Sequence, residues 1–419
     1  MNRRVVITGC GLISPIGVNT IDYWNNLISG KSGIGPITRF DTEDFSVKIA
    51  GEVRGFDPLA YISKKNVRRM DYFTQYAVAA ALQAIDQAKL EISKQLSPRV
   101  GVFVSSCNGG FNYIQENVKN LLENGPKRVS PYFSSATLVN IPSGEISILI
   151  GAKGQSGAIV TACATGTSSV GEAMRLIQSG RADVMLAGGT ADAITPLDLA
   201  AYSNVKALSR RNEEPEKASR PFDRDRDGFV IGAGGGVLVL EEAEHAIGRG
   251  AKILAELVGY GATTDAYHIT APDPSGSGAV RAIRLALEEA KIQPRDVNYI
   301  NAHGTSTPFN DQMETKAIKT VFGEDAGRIL VSSNKSMIGH LMGGAGAVEL
   351  IATVYSILEK KVPPTINCDH PDDELDLNYV PHQAQSCDIE YAISNSFGFG
   401  GHNAVLVVRR WNESSSNLL

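Results

Sequence analysis

Short runs of Val, Ile, Leu and Ala, each bounded by glycine or a small polar residue, alternate along the chain with longer stretches of helical apolar spacing. The runs at 5–9, 100–105, 158–162, 183–189, 237–241, 253–259, 298–302, 329–333, 391–394 and 404–408 predict strands, apolar enough to be covered on both faces. Helices are predicted at 73–90, 165–179, 277–291 and 344–358. Alternation of this kind predicts an α/β fold with mostly buried strands.

The pattern also repeats. Ala77-Val78-x-Ala80-x3-Ala84-x3-Ala88-Lys89 recurs as Ala279-Val280-x-Ala282-x3-Ala286-x3-Ala290-Lys291, and each leads through a polar link into a strand. The turn at 159–163 matches 330–334, and the glycine-led strand at 232–241 matches 398–408. An ordered series of matches predicts two similar halves, 1–255 and 256–411, with a flexible tail at 412–419. On that match Cys163 and the Asn334-Lys335 turn are equivalent positions, expected to meet across a pseudo-twofold axis. The charged segment 209–226, with Pro215 and Pro221, reads as a loop insertion.

Composition narrows the function. The 419 residues carry 40 Lys+Arg against 45 Asp+Glu, a formal net charge of −5, which argues against a general nucleic-acid binder. Five cysteines without a C-x-x-C exclude a disulfide scaffold or zinc module and fit a reducing, cytoplasmic setting. The apolar run at 231–240 is too short to cross a membrane, and Gly9, Gly11 and Pro15 break the first one, which predicts a strand rather than a signal peptide. The 42 glycines are an excess over the usual share, whereas the 18 prolines are not, which points to close backbone approaches.

The candidate chemistry centres on Cys163, where a strand is expected to end and a helix to begin. A thiol at a helix N-terminus is expected to have a lowered pKa, with backbone N–H groups at hand for an oxyanion. A small buried hydrophobe is the other reading of such a cysteine. His303 and His340 lie in glycine- and small-residue contexts that let a substrate approach, whereas His245, His370 and His382 read as surface. A cysteine with two distant histidines is a nucleophilic arrangement. Gly9-Cys10-Gly11 fails as a dinucleotide fingerprint because Ser14 and Pro15 follow, and Ser332-x-x-Lys335 lacks the partners of a penicillin-binding site.

TACATG, NAHGTST, NKSMIGH and NSFGFGGHN, in this order and spacing, resemble the β-ketoacyl-[acyl-carrier-protein] synthases of the elongating, type II kind, over almost the whole chain. The resemblance implies a thiolase-like fold, two βαβαβ-type halves in five αβαβα layers, and decarboxylative Claisen condensation that adds two carbons in fatty acid biosynthesis. It implies acyl and malonyl groups delivered on the phosphopantetheine arm of acyl carrier protein, with no required cofactor. Cys163 would hold the acyl group, His303 and His340 the malonyl carbonyl, and the N–H groups of Cys163 and Phe399 an oxyanion, with Phe399 as gate. Lys335 and Glu314 would be paired charges behind the histidines, supported by Asp311, which is also counted among the substrate-binding positions. Thr305 and Thr307 would bind the arm. Asn301, Glu349, Ser394 and Asn395 match a structural Na+ or K+ site.

Lys64, Lys65, Arg68 and Arg69, read as one helical face, together with Lys127, Arg128 and Lys206, would dock the acidic carrier protein. Asn108 departs from the family pattern by placing an amide in the acyl pocket, where an unpaired amide is costly. That favours, as an alternative, the ketosynthase subunit of a type II polyketide or polyene system. Its partner would be a chain-length-factor homologue in place of a homodimer. A thiolase acting on acyl-coenzyme A shares the fold but needs a second catalytic cysteine; Cys368 and Cys387 sit in polar contexts.

Overall fold

The computed structural model describes residues 3–412, so most of the tail expected at 412–419 lies outside the described residues. Nine strands form one mixed sheet: β1 (Val5–Ile13), β2 (Val100–Ser105), β3 (Val184–Asp192), β4 (Ala233–Glu242), β5 (Ala255–Thr264), β6 (Val297–Asn301), β7 (Leu330–Ser332), β8 (Tyr391–Gly398) and β9 (His402–Arg409). Their spatial order is β2-β3-β4-β1-β5-β9-β8-β6-β7. Outward from the β1–β5 junction the first four strands of each side correspond in order, and β7 extends the C-terminal side by a fifth. There only Val5, Val6 and Ile7 pair with Leu257, Glu256 and Ala255.

The principal helices are α1 (Tyr72–Ala88), α2 (Thr165–Gln178), α3 (Pro196–Asn204), α4 (Ser277–Ala290), α5 (Pro308–Phe322) and α6 (Ala345–Glu359). Helix α1 packs outside β1 and β4, and α4 outside β5 and β9; α2 and α6 lie against each other between the two halves of the sheet. The result is five layers, helix–sheet–helix–sheet–helix, with α2 and α6 buried over most of their length. Among the described residues no helix is long and apolar enough to cross a membrane.

The alanine repeat has a physical cause. A Cβ on Gly11 would lie 2.0 Å from the Ala80 carbonyl oxygen and one on Gly9 2.1 Å from that of Ala84. On the other side, Gly261 meets the Ala282 carbonyl at 2.0 Å and Gly259 that of Ala286 at 2.2 Å. Strand glycine against helix alanine lets each outer helix sit directly on its strand, and any larger residue forces them apart. The register skips Thr8 between β1 and β4 and Val258 between β5 and β9, so the same bulge stands beside Gly9 and Gly259. Both helices close on a left-handed lysine, Lys89 and Lys291.

Three expectations change. The segment 158–162 is not a strand: Ser105 Oγ takes the Ile159 N–H at 3.0 Å, so a side chain replaces the ladder. Cys163 is not equivalent to the Asn334-Lys335 turn. It lies in the 3₁₀ turn Ala162–Ala164 before α2, and Met342–Gly344 is the matching turn before α6, with Ala162 at φ 50° and Met342 at φ 46°. Cys163 therefore corresponds to Gly343, and residues 334–341, carrying Lys335 and His340, are an excursion inserted between β7 and α6. Finally, 209–226 is a loop as expected, but its second half is tied into the interior. Ser219, Arg220 and Asp223 are buried, Phe222 stacks on Tyr379 at 4.0 Å, and Ser219 Oγ donates to the Lys335 carbonyl at 2.7 Å.

Gly261→Val should overpack β5 against α4 and destabilise the protein by about 2 kcal/mol or more. Denaturant unfolding measures this, and a midpoint equal to that of the parent would contradict the packing account.

Candidate active site

The N-termini of the two inner helices meet: a Cβ on Gly166 of α2 would lie 2.8 Å from the Ala347 nitrogen of α6. Cys163 sits at that junction and lines a cavity of about 350 Å³ together with His303, His340, Thr305, Thr307, Tyr202, Lys206, Phe397 and Phe399. His303 follows the end of β6, and His340 lies in the excursion between β7 and α6. The two rings are 5.3 Å apart, edge to face, and Phe397 and Phe229 close them in from either side.

The imidazole tautomers follow from their partners. Lys335 Nζ donates to His303 Nδ1 at 3.3 Å, and the Met342 N–H reaches His340 Nδ1 at 3.3 Å. An ammonium and a peptide N–H can only donate, so each Nδ1 is a lone-pair acceptor and each neutral ring carries its hydrogen on Nε2. Burial, and then the Lys335 charge, holds both histidines well below the ordinary histidine value. Two neutral N–H donors thus share a cavity with the thiol.

Lys335 is 1% exposed and pairs with Glu349. This corrects the expected Lys335–Glu314 pair. Glu314 instead accepts the N–H groups of His303 at 2.9 Å and Gly304 at 2.8 Å, with Asn395 Nδ2 at 3.0 Å, so it fixes the loop rather than the charge. Burial pushes Glu314 up to about 7. The lysine takes the carboxylate of the inner helix because α6 faces the excursion, whereas Glu314 lies on α5 outside the sheet.

Other placements differ from expectation in part. Cys163 does not have a lowered pKa: burial pushes its thiol up to about 11, opposed by Lys335 and by the backbone N–H groups of Phe399 and Cys163 itself. Those two N–H groups do face the sulfur. Asp311 does not reach the cavity; fully buried, it accepts the Phe222 N–H at 2.9 Å and lies 3.8 Å from Arg226, holding 209–226 in place. Thr305 and Thr307 share a hydroxyl contact of 2.9 Å at the cavity wall. Phe399 is at the tip of the β8–β9 hairpin, 36% exposed, before Gly400 and Gly401, both at positive φ. Asn108, expected in the acyl pocket, does not line the cavity with Cys163, and its amide is partnered, reaching Asp198 at 3.4 Å.

The basic residues do not form one helical face. The helix there is a single turn, Lys64–Val67, because Asp71 caps α1 immediately afterwards. Arg69 is spent on Glu145 at 3.0 Å; Lys64, Lys65, Arg68, Lys127, Arg128 and Lys206 are exposed. Sequence reasoning missed Tyr202, Phe229, Met342, Asn310 and Phe397 in the cavity wall. Phe397 alone had a signal, its place in the NSFGFGG motif.

The oxygens Asn301 Oδ1, Glu349 Oε2, Ser394 Oγ and Asn395 Oδ1 are all buried without a hydrogen-bond partner. Asn301 and Ser394 face each other across β6 and β8, and Asn301 Nδ2 donates to the Glu349 carbonyl. An all-oxygen set of this kind fits a hard cation. Ser394 and Asn395 leave the strand on opposite faces, and Asn395 is bonded to Glu314, so Asn395 lies apart from the other three, against the expectation.

A family model described as the β-ketoacyl synthase N-terminal domain matches residues 2–246, and one described as its C-terminal domain matches 254–369. The 3-oxoacyl-[acyl-carrier-protein] synthase 2 of Synechocystis sp. is 51% identical over 409 residues, covering 98% of each chain. Two solved structures align with TM-scores of 0.91 over 98% of this chain and 100% of theirs. One, at 36% identity, is a type II polyketide acyl-carrier protein in complex with its ketosynthase bound to the hexaketide; the other, at 38%, is the ishigamide ketosynthase/chain length factor.

A histidine whose folded pKa is depressed adds stability above its unfolded value, about 6.5, that is lost as pH falls below it. Replacing His303 and His340 together by Asn should therefore flatten the fall in melting temperature between mildly alkaline and mildly acidic buffer. Parallel curves for parent and variant would rule out the neutral buried imidazoles.

Proposed function

The chain belongs to the β-ketoacyl synthase family, and we propose that Cys163, His303 and His340 carry its chemistry. It is a condensing acyltransferase of fatty acid elongation, a 3-oxoacyl-[acyl-carrier-protein] synthase. The observation that carries the residue assignment is the pair of fixed Nε2–H donors in the cavity of a cysteine faced by two backbone N–H groups.

In the first half-reaction the Cys163 sulfur attacks the thioester carbonyl of an acyl-carrier protein. The bond to the carrier sulfur breaks, the S–H proton of Cys163 ends on that departing sulfur as the carrier thiol, and the acyl group stays on Cys163. The resting thiol is neutral, so its activation comes with substrate binding, where Lys335 and the N–H groups of Phe399 and Cys163 favour negative charge. In the second half-reaction malonyl-carrier protein places its thioester carbonyl on the two Nε2–H groups. The bond to the carboxylate breaks, CO2 leaves, and the electron pair becomes an enolate held by those donors. Its carbon attacks the Cys163 thioester, the sulfur leaves, and a 3-oxoacyl chain two carbons longer remains on the carrier. Neutral donors suit an oxyanion that exists only transiently, because they cost no counter-charge before it forms.

Thr305 and Thr307 bind the phosphopantetheine arm along the wall, and Phe399 gates the passage on its glycine hinge. Asn301, Glu349 and Ser394 would hold a structural Na+ or K+, which would neutralise the orphaned oxygens beside the Lys335–Glu349 pair. The enzyme works in the cytoplasm as a dimer. Exposed Val118, Leu121, Leu122, Ile148 and Leu149 support an apolar association face. The partner is a second copy, or a chain-length-factor homologue as in the ishigamide complex. Lys64, Lys65, Arg68, Lys127, Arg128 and Lys206 receive the acidic carrier protein.

Cys163→Ala should abolish condensation, whereas Cys163→Gln should keep releasing CO2 from malonyl-carrier protein without elongation; measurable elongation by either would refute the nucleophile. Reversing Lys65 and Arg68 to Glu should weaken carrier binding, more at low salt than at high. Affinity indifferent to both the substitutions and the salt would remove the docking surface.

A further inference from the structure

The turn that presents Cys163 is strained, and one side chain clasps it. Ala162 stands at φ 50°, in the left-handed region that residues with a Cβ rarely enter. A backbone of this kind persists only where its surroundings over-determine it. Thr165, the first residue of α2, is fully buried, and its hydroxyl points back into the turn. Its Oγ1 accepts the Thr161 N–H at 3.0 Å and donates to the Ala162 carbonyl at 2.7 Å. That carbonyl belongs to the same peptide unit as the Cys163 N–H, one of the two N–H groups that face the sulfur.

The equivalent turn of the other half lacks this clasp. Met342 is at φ 46°, and the Gly344 N–H returns to the Leu341 carbonyl at 2.8 Å, as that of Ala164 does to Thr161 at 3.0 Å. Ala345 stands where Thr165 would be, and the Met342 N–H goes to His340 instead. The fold therefore forms the turn without a hydroxyl at this place, and the hydroxyl is found where a backbone N–H faces a sulfur. Tolerance around it is small. A Cβ on Gly398 would lie 2.7 Å from the Thr161 carbonyl oxygen and 3.0 Å from the Cys163 nitrogen, so the end of β8, which leads into Phe399, closes directly on the turn. Thr161 Oγ1 and Ser168 Oγ meet at 2.8 Å, and Ser105 Oγ holds Ile159, so hydroxyls pin the approach to the turn as well.

We propose that Thr165 is a positioning residue for Cys163: its hydroxyl fixes the plane of the Ala162–Cys163 peptide and so aims the Cys163 N–H, with that of Phe399, at the oxyanion that forms as Cys163 is acylated. The inference rests on Cys163 being the residue that holds the acyl group. The hydrogen bond accepted by the Ala162 carbonyl also polarises that peptide and strengthens its N–H as a donor. Thr165 does not line the cavity, so it acts through the peptide and not on the substrate. An oxyanion donor works only when its distance and angle suit the developing charge, so loss of the clasp falls on rate rather than on carrier binding. The malonyl half-reaction uses the Nε2–H groups of His303 and His340, whose rings are held by Lys335 and Met342 outside the clasp.

The test is single-turnover acylation by excess saturated acyl-carrier protein, followed by intact mass over a range of carrier concentrations. Thr165→Val keeps the side-chain volume and removes the hydroxyl. It should lower the maximal acylation rate about tenfold or more and leave the half-saturating carrier concentration within about threefold of the parent. Thr165→Ser keeps the hydroxyl and should restore the rate to within about threefold of the parent. In the Cys163→Gln background, carbon dioxide release from malonyl-carrier protein should change by less than about threefold when Thr165→Val is added. If Thr165→Val does not fold, Thr165→Ala carries the same test, because the equivalent turn folds with Ala345. An acylation rate indifferent to loss of the hydroxyl, no rescue by Thr165→Ser, or an equal fall in acylation and carbon dioxide release would overturn the positioning role. A parent enzyme whose acyl group maps by peptide digestion to a residue other than Cys163 would instead overturn the acyl-enzyme reading, and the positioning role with it.

Discussion

The buried ammonium of Lys335 organises the site. It is held out of water against Glu349 on an inner helix, and such a pair survives in low dielectric only when its geometry is good and its remaining protons are used. One of those protons goes to His303 Nδ1, which sets that ring's tautomer. The same charge helps keep both imidazoles neutral and opposes the burial that raises the Cys163 thiol. In the proposed chemistry the histidines are uncharged donors and the sulfur becomes an anion, and one cation serves both.

The fold brings this about by breaking its own symmetry. Two halves built on the same strand–helix contact place Cys163 and Gly343 at equivalent turns. The C-terminal half then inserts residues 334–341 before its inner helix, and that excursion carries the lysine and one histidine back to Cys163 of the other half. Segment 209–226 is tied beneath it through Ser219 and Asp311-bound Phe222, so a charged stretch becomes part of the floor.

Much of this was legible in the chain. The Ala80/Ala84 and Ala282/Ala286 spacings are direct imprints of glycine-to-helix contacts, so the repeat could be read without coordinates. Cys163, His303 and His340 stood out because small residues crowd around each. The partner of Lys335 was not legible, since Glu314 and Glu349 are both carboxylates on helices, and only the layer each helix occupies separates them. Nor was the thiol's state: the helix N-terminus is visible in sequence, but the burial that outweighs it is not. The basic stretch at 64–69 reads as a helical face until the Asp71 cap cuts it to a single turn.

The central claim is that two neutral imidazoles, each with its hydrogen on Nε2, stand in the resting site. Nitrogen NMR of imidazole-labelled enzyme, compared with the His303→Asn and His340→Asn variants, reports the tautomer and charge of each ring directly. The account predicts two rings in the Nε2–H form that stay neutral well below the pH at which exposed histidines titrate. An imidazolium, or a hydrogen on Nδ1, in either ring at neutral pH would contradict it.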